Sequence, residues 1–325
     1  MYRLGLPPIF LIACLIFEGS ADAADKKHVT DAVVDLDYKA SFTALAYAHD
    51  TKVLIDRVHP TIYQNEGDEH GAHAMLDILL RDGFSYAYID KALDASALIG
   101  DILIIHGLPE VSETLPNGAT FWKSGLSAQE LQDIVHFVDG GGGLFLVLSH
   151  HPGGSGAKAL LDALGVEFRD GYLFTSLFPS FVSADDRCSH FFGMSEKDGL
   201  LNTAHPLLAM GETVRKVDFL CGAAVFRQPQ DAVLRFPPGS ANFNQDNSFH
   251  ESSDYYAGML AFEYGRGRVV ITTDQGMFRN FIFTFDHKEK VHVTISSPDN
   301  DNAKLFVNTM RWLSSRISAT MQASP

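Results

Sequence analysis

Histidine, serine and aspartate recur at one kind of place in this 325-residue sequence. His59 follows the apolar run KVLID (52–56), and His106 follows DILII (101–105). Ser149, His150 and His151 follow LFLVL (144–148), and Asp274 follows RVVITT (268–273). A histidine titrates near neutrality, so it can take or give a proton, and it is also the commonest metal ligand. A serine can act as a nucleophile when a base activates it, and a carboxylate can orient an imidazole. The catalytic candidates are therefore His59, His106, Ser149, His150 and Asp274. His59, His106, His150 and Asp274 could also hold a divalent metal, although no fixed spacing supports a metal site and the sequence requires no cofactor.

A second group lies just downstream. Pro152-Gly153-Gly154-Ser155-Gly156 runs from a strand toward a helix. Backbone amides and a helix N-terminus can hold a carboxylate or another anion, so His151, Gly153, Gly154 and Ser155 are ligand-binding candidates. The segment imitates a G-x-S-x-A elbow, but Ser155 lies past the strand end, where a turn role is favoured over a nucleophile. His70 and His73, with Glu66 and Glu69 nearby, fit a solvated helix start better than a surface metal site. Walker A, G-x-G-x-x-G after a strand, C-x-x-C and H-E-x-x-H are all absent.

The elements that must position these groups alternate. Strands are expected at 52–56, 84–89, 101–105, 144–148 and 268–273. The run DILII is apolar enough to be buried on both faces. Helices are expected at 71–81, 127–138, 156–164 and 302–317, from apolar residues at i, i+3 and i+4. Ser127-Ala128-Gln129-Glu130 reads as a capping box. Strand–helix alternation implies a mostly parallel sheet with helices on both faces, whose ligands lie beyond the carboxyl ends of the strands. Residues 168–262 are less regular and read as an insertion, with a long polar loop at 237–254.

Hydrophobic residues make up 46% and charged residues 20%, which fits a folded chain and excludes a disordered one. The formal net charge of −15 argues against nucleic acid as a partner and favours neutral or cationic ligands. Residues 1–23 read as a signal peptide, with Arg3, an apolar stretch at 4–17 and Ala21-Asp22-Ala23 as the cleavage pattern. Leu11-Ile12-Ala13-Cys14 offers an alternative, a lipid anchor at Cys14, and an uncleaved anchor is a third reading. Each places residues 24–325 outside the cytoplasm, periplasmic or secreted, as a single domain. There Cys188 and Cys221 could pair, closing a loop that would stabilise the fold by about 3–4 kcal/mol. Two separate buried thiols are the alternative.

Several blocks together resemble a known group. They are KVLID with the later His59, LLRDGF, DILIIHG, GGGLFLVLSHHPGGSGAKALLDALGVEF, and the late YGRGRVVITTDQGMF with NAKLFVNTMRWLSS. These resemble bacterial extracytoplasmic proteins of unknown function in the class I glutamine amidotransferase-like superfamily, over roughly 50–175 and 260–315. The resemblance implies a flavodoxin-like three-layer α/β sandwich. The strand-end block of that group usually reads Ala-Asp-His-x-Pro; His150 and Pro152 match it, and Ser149 replaces the acid. Asp274, Met277 and Phe278 resemble its late block. The group's early segment often has further His and Asn; His59 and Asn65 stand there in a rearranged order. An amidotransferase needs an elbow cysteine after LFLVL, and this sequence has none there.

The functional expectation is a hydrolase without a cysteine nucleophile, using strand-end histidines. The alternatives are a non-catalytic module for a small-molecule or carbohydrate ligand, and an envelope assembly partner. Neither the substrate nor the oligomeric state can be read from the sequence.

Overall fold

The apolar runs pair side by side in the computed structural model, which describes residues 29–44, 50–63, 70–174, 192–237, 240–243, 249–251 and 256–315. The proposed leader, Cys14, Asn65, Glu66, Glu69 and Cys188 lie outside these residues. Nine strands form the main sheet: β1 (Lys52–Asp56), β2 (Ser85–Ile89), β3 (Ile102–His106), β4 (Gly143–Val147), β5 (Glu167–Arg169), β6 (Ala224–Phe226), β7 (Ala232–Arg235), β8 (Ala257–Tyr264) and β9 (Gly267–Thr272). Their order is β2-β1-β3-β4-β9-β8-β6-β5, with β7 also paired to β8.

The first five strands in that order are parallel. From β8 onward every pairing is antiparallel, so the sheet is mixed rather than parallel throughout. The reason is local. β8 and β9 are joined by Gly265 and Arg266 alone, and so short a connection can only make a hairpin. Gly265 sits at φ +56°, and a side chain there would collide with Asp139. Parts of the segment 168–262 thus belong to the main sheet. Within 237–254, Ala241–Phe243 pairs with Phe249–Glu251 and with Tyr172–Phe174.

Four α-helices among the described residues cover the sheet: α1 (His73–Arg81), α2 (Ala128–Asp139), α3 (Lys158–Ala163) and α4 (Asn302–Ser314). Strand alternation divides the core in two. Val53, Ile55, Ile102, Ile104, Phe145 and Val270 face α1 and α4, through Met75, Leu79, Leu305 and Phe306. Leu54, Leu103, Ile105, Leu144, Leu146 and Ile271 face α2 and α3, through Ile134, Val138, Leu160 and Leu161. No helix among the described residues is long and apolar enough to cross a membrane.

The capping box at α2 is formed as expected. Glu130 donates its amide to Ser127 Oγ at 3.2 Å, and the Ser127 amide donates to Glu130 Oε2 at 2.8 Å. Ser127→Ala is expected to lower stability by about 1 kcal/mol. A urea midpoint shift at constant slope would report it, and an unchanged midpoint would show that the cap contributes nothing.

Candidate functional site

All the strand-end candidates lie along the carboxyl edge of the parallel strands, as the alternation required. They divide between the two faces of the sheet and the turns beyond it.

His59 lies on the α2 side. Its Nδ1 is 2.9 Å from Asp56 Oδ2, and its Nε2 is 3.7 Å from Glu130 Oε1. Asp56 also accepts from the Val58 amide at 2.9 Å, and Glu130 from the Leu93 amide at 3.0 Å. Burial works against a charged ring here. The hydrogen bond and charge of Asp56, the charge of Glu130 and the Gly125 backbone outweigh it and raise the His59 pKa. The result is a buried carboxylate–imidazole–carboxylate chain that ties the end of β1 to the cap of α2.

His106 lies on the other face, with Ile102 and Ile104. It is fully buried, edge-on to Tyr63 at 5.7 Å, and its Nε2 donates to the Gln275 carbonyl at 3.2 Å. Burial pushes its pKa down to about 3, so the ring is neutral. Its Nδ1 is buried without a hydrogen-bond partner among the described residues.

Asp274 is buried just beyond β9. Its carboxylate accepts from the amides of Leu220, Cys221, Gly276 and Met277, that of Gly276 at 2.8 Å. Burial pushes its pKa up to about 7, against the pull of those four donors. The group pins the loop at 220–221 to the turn after β9. Cys221 itself is disulfide-bonded.

The segment after β4 holds the rest. Ser149 is buried, and no hydrogen bond joins its hydroxyl to a described residue. His150 stacks on Tyr172 at 4.9 Å and donates from Nδ1 to the His151 carbonyl at 2.6 Å. His151 places Nδ1 2.9 Å from Ser155 Oγ and 3.2 Å from Asp170 Oδ2. The structure therefore brings together His150, His151 and Ser155, and adds Asp170 and Tyr172, which the sequence reading missed. The Asp170-Gly171 turn before an aromatic residue was the available signal. Gly153 and Gly154 have a packing reason: a Cβ on either would come within 2.8 Å or 2.7 Å of Ser149 atoms. The amides of Gly153, Ser155 and Gly156 donate to the carbonyls of His150, Pro152 and Leu108. They are spent on the turn rather than presented to an anion.

His59, His106, His150 and Asp274 are thus held by different partners. Among the described residues no group of three or more His, Cys, Asp or Glu could hold a metal ion. His73 contacts the buried Asn280 Nδ2 at 3.1 Å, and the His70 carbonyl accepts from Arg279. The start of α1 is therefore more firmly held than a solvated helix end.

No protein-family model matches the chain, and no curated protein matches it significantly in sequence. Solved structures do resemble it. The N-terminal domain of mmIFT52 is 15% identical with a TM-score of 0.51, covering 81% of this chain and 97% of that one. This shows a shared α/β fold and no more. A ThuA-like protein from Bacteroides uniformis is 14% identical with a TM-score of 0.45, covering 85% and 95%. A cytoplasmic protein from Salmonella typhimurium is 14% identical with a TM-score of 0.42, covering 81% and 98%.

Proposed function

We propose that this chain is an exported, non-catalytic binding module with a class I glutamine amidotransferase-like fold. Its ligand, a small molecule or carbohydrate, would meet the rim formed by His150, His151, Asp170 and Tyr172. One observation carries this reading. The groups best suited to catalysis by sequence are each engaged in holding the fold: His59 by Asp56 and Glu130, His106 by the Gln275 carbonyl, and Asp274 by four amides. A thiolate cannot come from Cys221, which is disulfide-bonded. The five parallel strands with helices on both faces support the fold assignment, as does the His150-x-Pro152 block. The composition of residues 1–23 supports export, with a lipid anchor at Cys14 as the alternative. The stacked His150–Tyr172 pair is an aromatic surface beside a carboxylate, a combination that suits the apolar faces and hydroxyls of a small polar ligand.

The His151–Asp170 pair favours a second reading, hydrolysis with His151 as a general base. Asp170 and Ser155 both meet Nδ1, so Ser155 is not placed to be activated by Nε2, and water would have to be the nucleophile. A thermal-shift screen of sugars and small metabolites, run beside ester, amide and glycoside turnover assays, separates the two. Saturable stabilisation lost in Tyr172→Ala, without turnover, is the expected result. Turnover abolished by His151→Gln would replace the binding reading with the hydrolase.

A further inference from the structure

At the opposite edge of the main sheet, the hairpin of β8 and β9 meets the last turn of α4 around an open cavity of 910 Å³. Arg227, Arg235 and Arg268 line it, together with two carboxylates, Asp231 and Glu263. Two of the arginines are fixed. Arg227 lies over the Phe262 ring at 4.4 Å and donates from Nη1 to Asp231 at 2.8 Å. Arg268 lies over the Trp312 ring at 5.0 Å and donates from Nη1 to the Trp312 carbonyl at 2.8 Å and to Ser315. Its Nη2 reaches Glu263 at 3.4 Å, and its Nε is buried without an acceptor among the described residues. Arg235, at the end of β7, has no side-chain hydrogen bond or ion pair with any described residue.

A guanidinium carries five donors and no acceptor. The cavity therefore holds one arginine more than its carboxylates can balance, and the side-chain amides of Asn202 and Gln230, which line it too, carry no charge. His205, also in the lining, changes neither count. Burial lowers its pKa, its Nε2 donates to the Ala261 carbonyl at 3.0 Å, and its Nδ1 accepts from the Leu207 amide at 3.1 Å. Stacking on Phe262 and Trp312 holds two of the guanidinium planes in place before any ligand arrives.

We propose that this cavity binds a small molecule carrying a carboxylate or phosphate group, with Arg235 as its principal counter-charge. An oxyanion offers only acceptors, so it uses the surplus donors without displacing either existing ion pair. Arg227 supplies a second donor fork, and Pro206 and Pro229 give the ligand an apolar wall. The site opposes the negative charge of the whole chain locally, as a pocket can. It lies at the far edge of the sheet from His59, His106, His150 and His151 and stands independently of the binding rim there.

Isothermal titration of the purified chain with inorganic phosphate, with succinate and with chloride at matched ionic strength tests this. Saturable binding of phosphate or succinate, absent with chloride, is expected. Arg235→Gln should weaken it at least tenfold, and Arg235→Lys should recover part of the loss. Arg266→Gln removes the same charge from an exposed site outside the cavity and should leave binding unchanged. Whichever anion binds more tightly identifies the oxyanion. Absence of saturable binding by both overturns the proposal, as does equal affinity in Arg235→Gln. If the glutamine variant does not fold, the lysine variant decides alone, because undiminished affinity without the guanidinium fork also overturns it.

Discussion

Arg311→Met is expected to destabilise the fold by about 3–5 kcal/mol, a large part of the 5–15 kcal/mol that a domain usually has. Arg311 is 1% exposed in the last turn of α4. Its Nε and Nη2 donate to the two oxygens of Asp82 at 2.7 Å and 2.6 Å. It also donates to the carbonyls of Met210 at 3.1 Å and Thr43 at 2.6 Å. Asp82 caps the C-terminus of α1 and is itself buried. The pair therefore joins the two helices on one face of the sheet. Methionine fills much of the volume but leaves a buried carboxylate without its cation and two carbonyls without a donor. Urea denaturation should show a lower midpoint. Restoring an apolar pair with Asp82→Leu in the Arg311→Met background should recover part of the loss, since most of the penalty lies in the stranded charge. A single-variant loss below about 1 kcal/mol would mean that the carboxylate is solvated after all.

Arg311 also marks the limit of what the sequence could tell. The helix itself was legible, because Phe306, Met310 and Leu313 recur at helical spacing and all are buried. The burial of the arginine among them was not, since nothing local reveals a carboxylate 229 positions away in sequence. The parallel strands were legible for a related reason. All but the edge strand β2 are short apolar runs largely buried on both faces, and such runs are marked by composition alone. In the antiparallel half, β5, β6 and β7 were not, because they are only three or four residues long, and β8 was missed despite its eight residues.

The candidate site was legible in position and not in role. Topology places strand ends on one edge, so His59, His106, His150 and Asp274 had to lie there. Whether a polar side chain at such an edge faces a ligand or the interior depends on its partners. Glu130 illustrates this. Its capping role follows from Ser127 three residues earlier, but its position beside His59 needs the packing of α2 on the end of β1. The turn at Asp170-Gly171 before Tyr172 is visible locally, but its place beside His150 and His151 depends on the chain returning after α3.

His106→Gln should tilt the dependence of stability on pH. The buried ring has a pKa of about 3, against about 6.5 in an unfolded chain. The neutral ring is therefore favoured in the folded state. Its contribution is fully present above pH 6.5 and is lost as pH falls toward 3, because the unfolded chain takes up a proton that the folded one refuses. Between pH 7.5 and 4.5 this amounts to about 3 kcal/mol. Asp274 acts in the opposite sense. Its folded pKa of about 7 lies above an unfolded value of about 4, so its contribution is present at low pH and is lost as pH rises through 7. Over the same interval that loss is also about 3 kcal/mol. The two largely cancel, and these two groups leave the wild-type curve nearly level. Glutamine at 106 removes the histidine's share, so the variant should gain stability relative to wild type as the solution is acidified. The quantity to measure is the difference in unfolding free energy between variant and wild type, from urea titrations at pH 7.5 and 4.5. A difference independent of pH would mean that His106 is protonated or solvated in the folded chain, and its burial between Tyr63 and the Gln275 carbonyl would no longer account for its state.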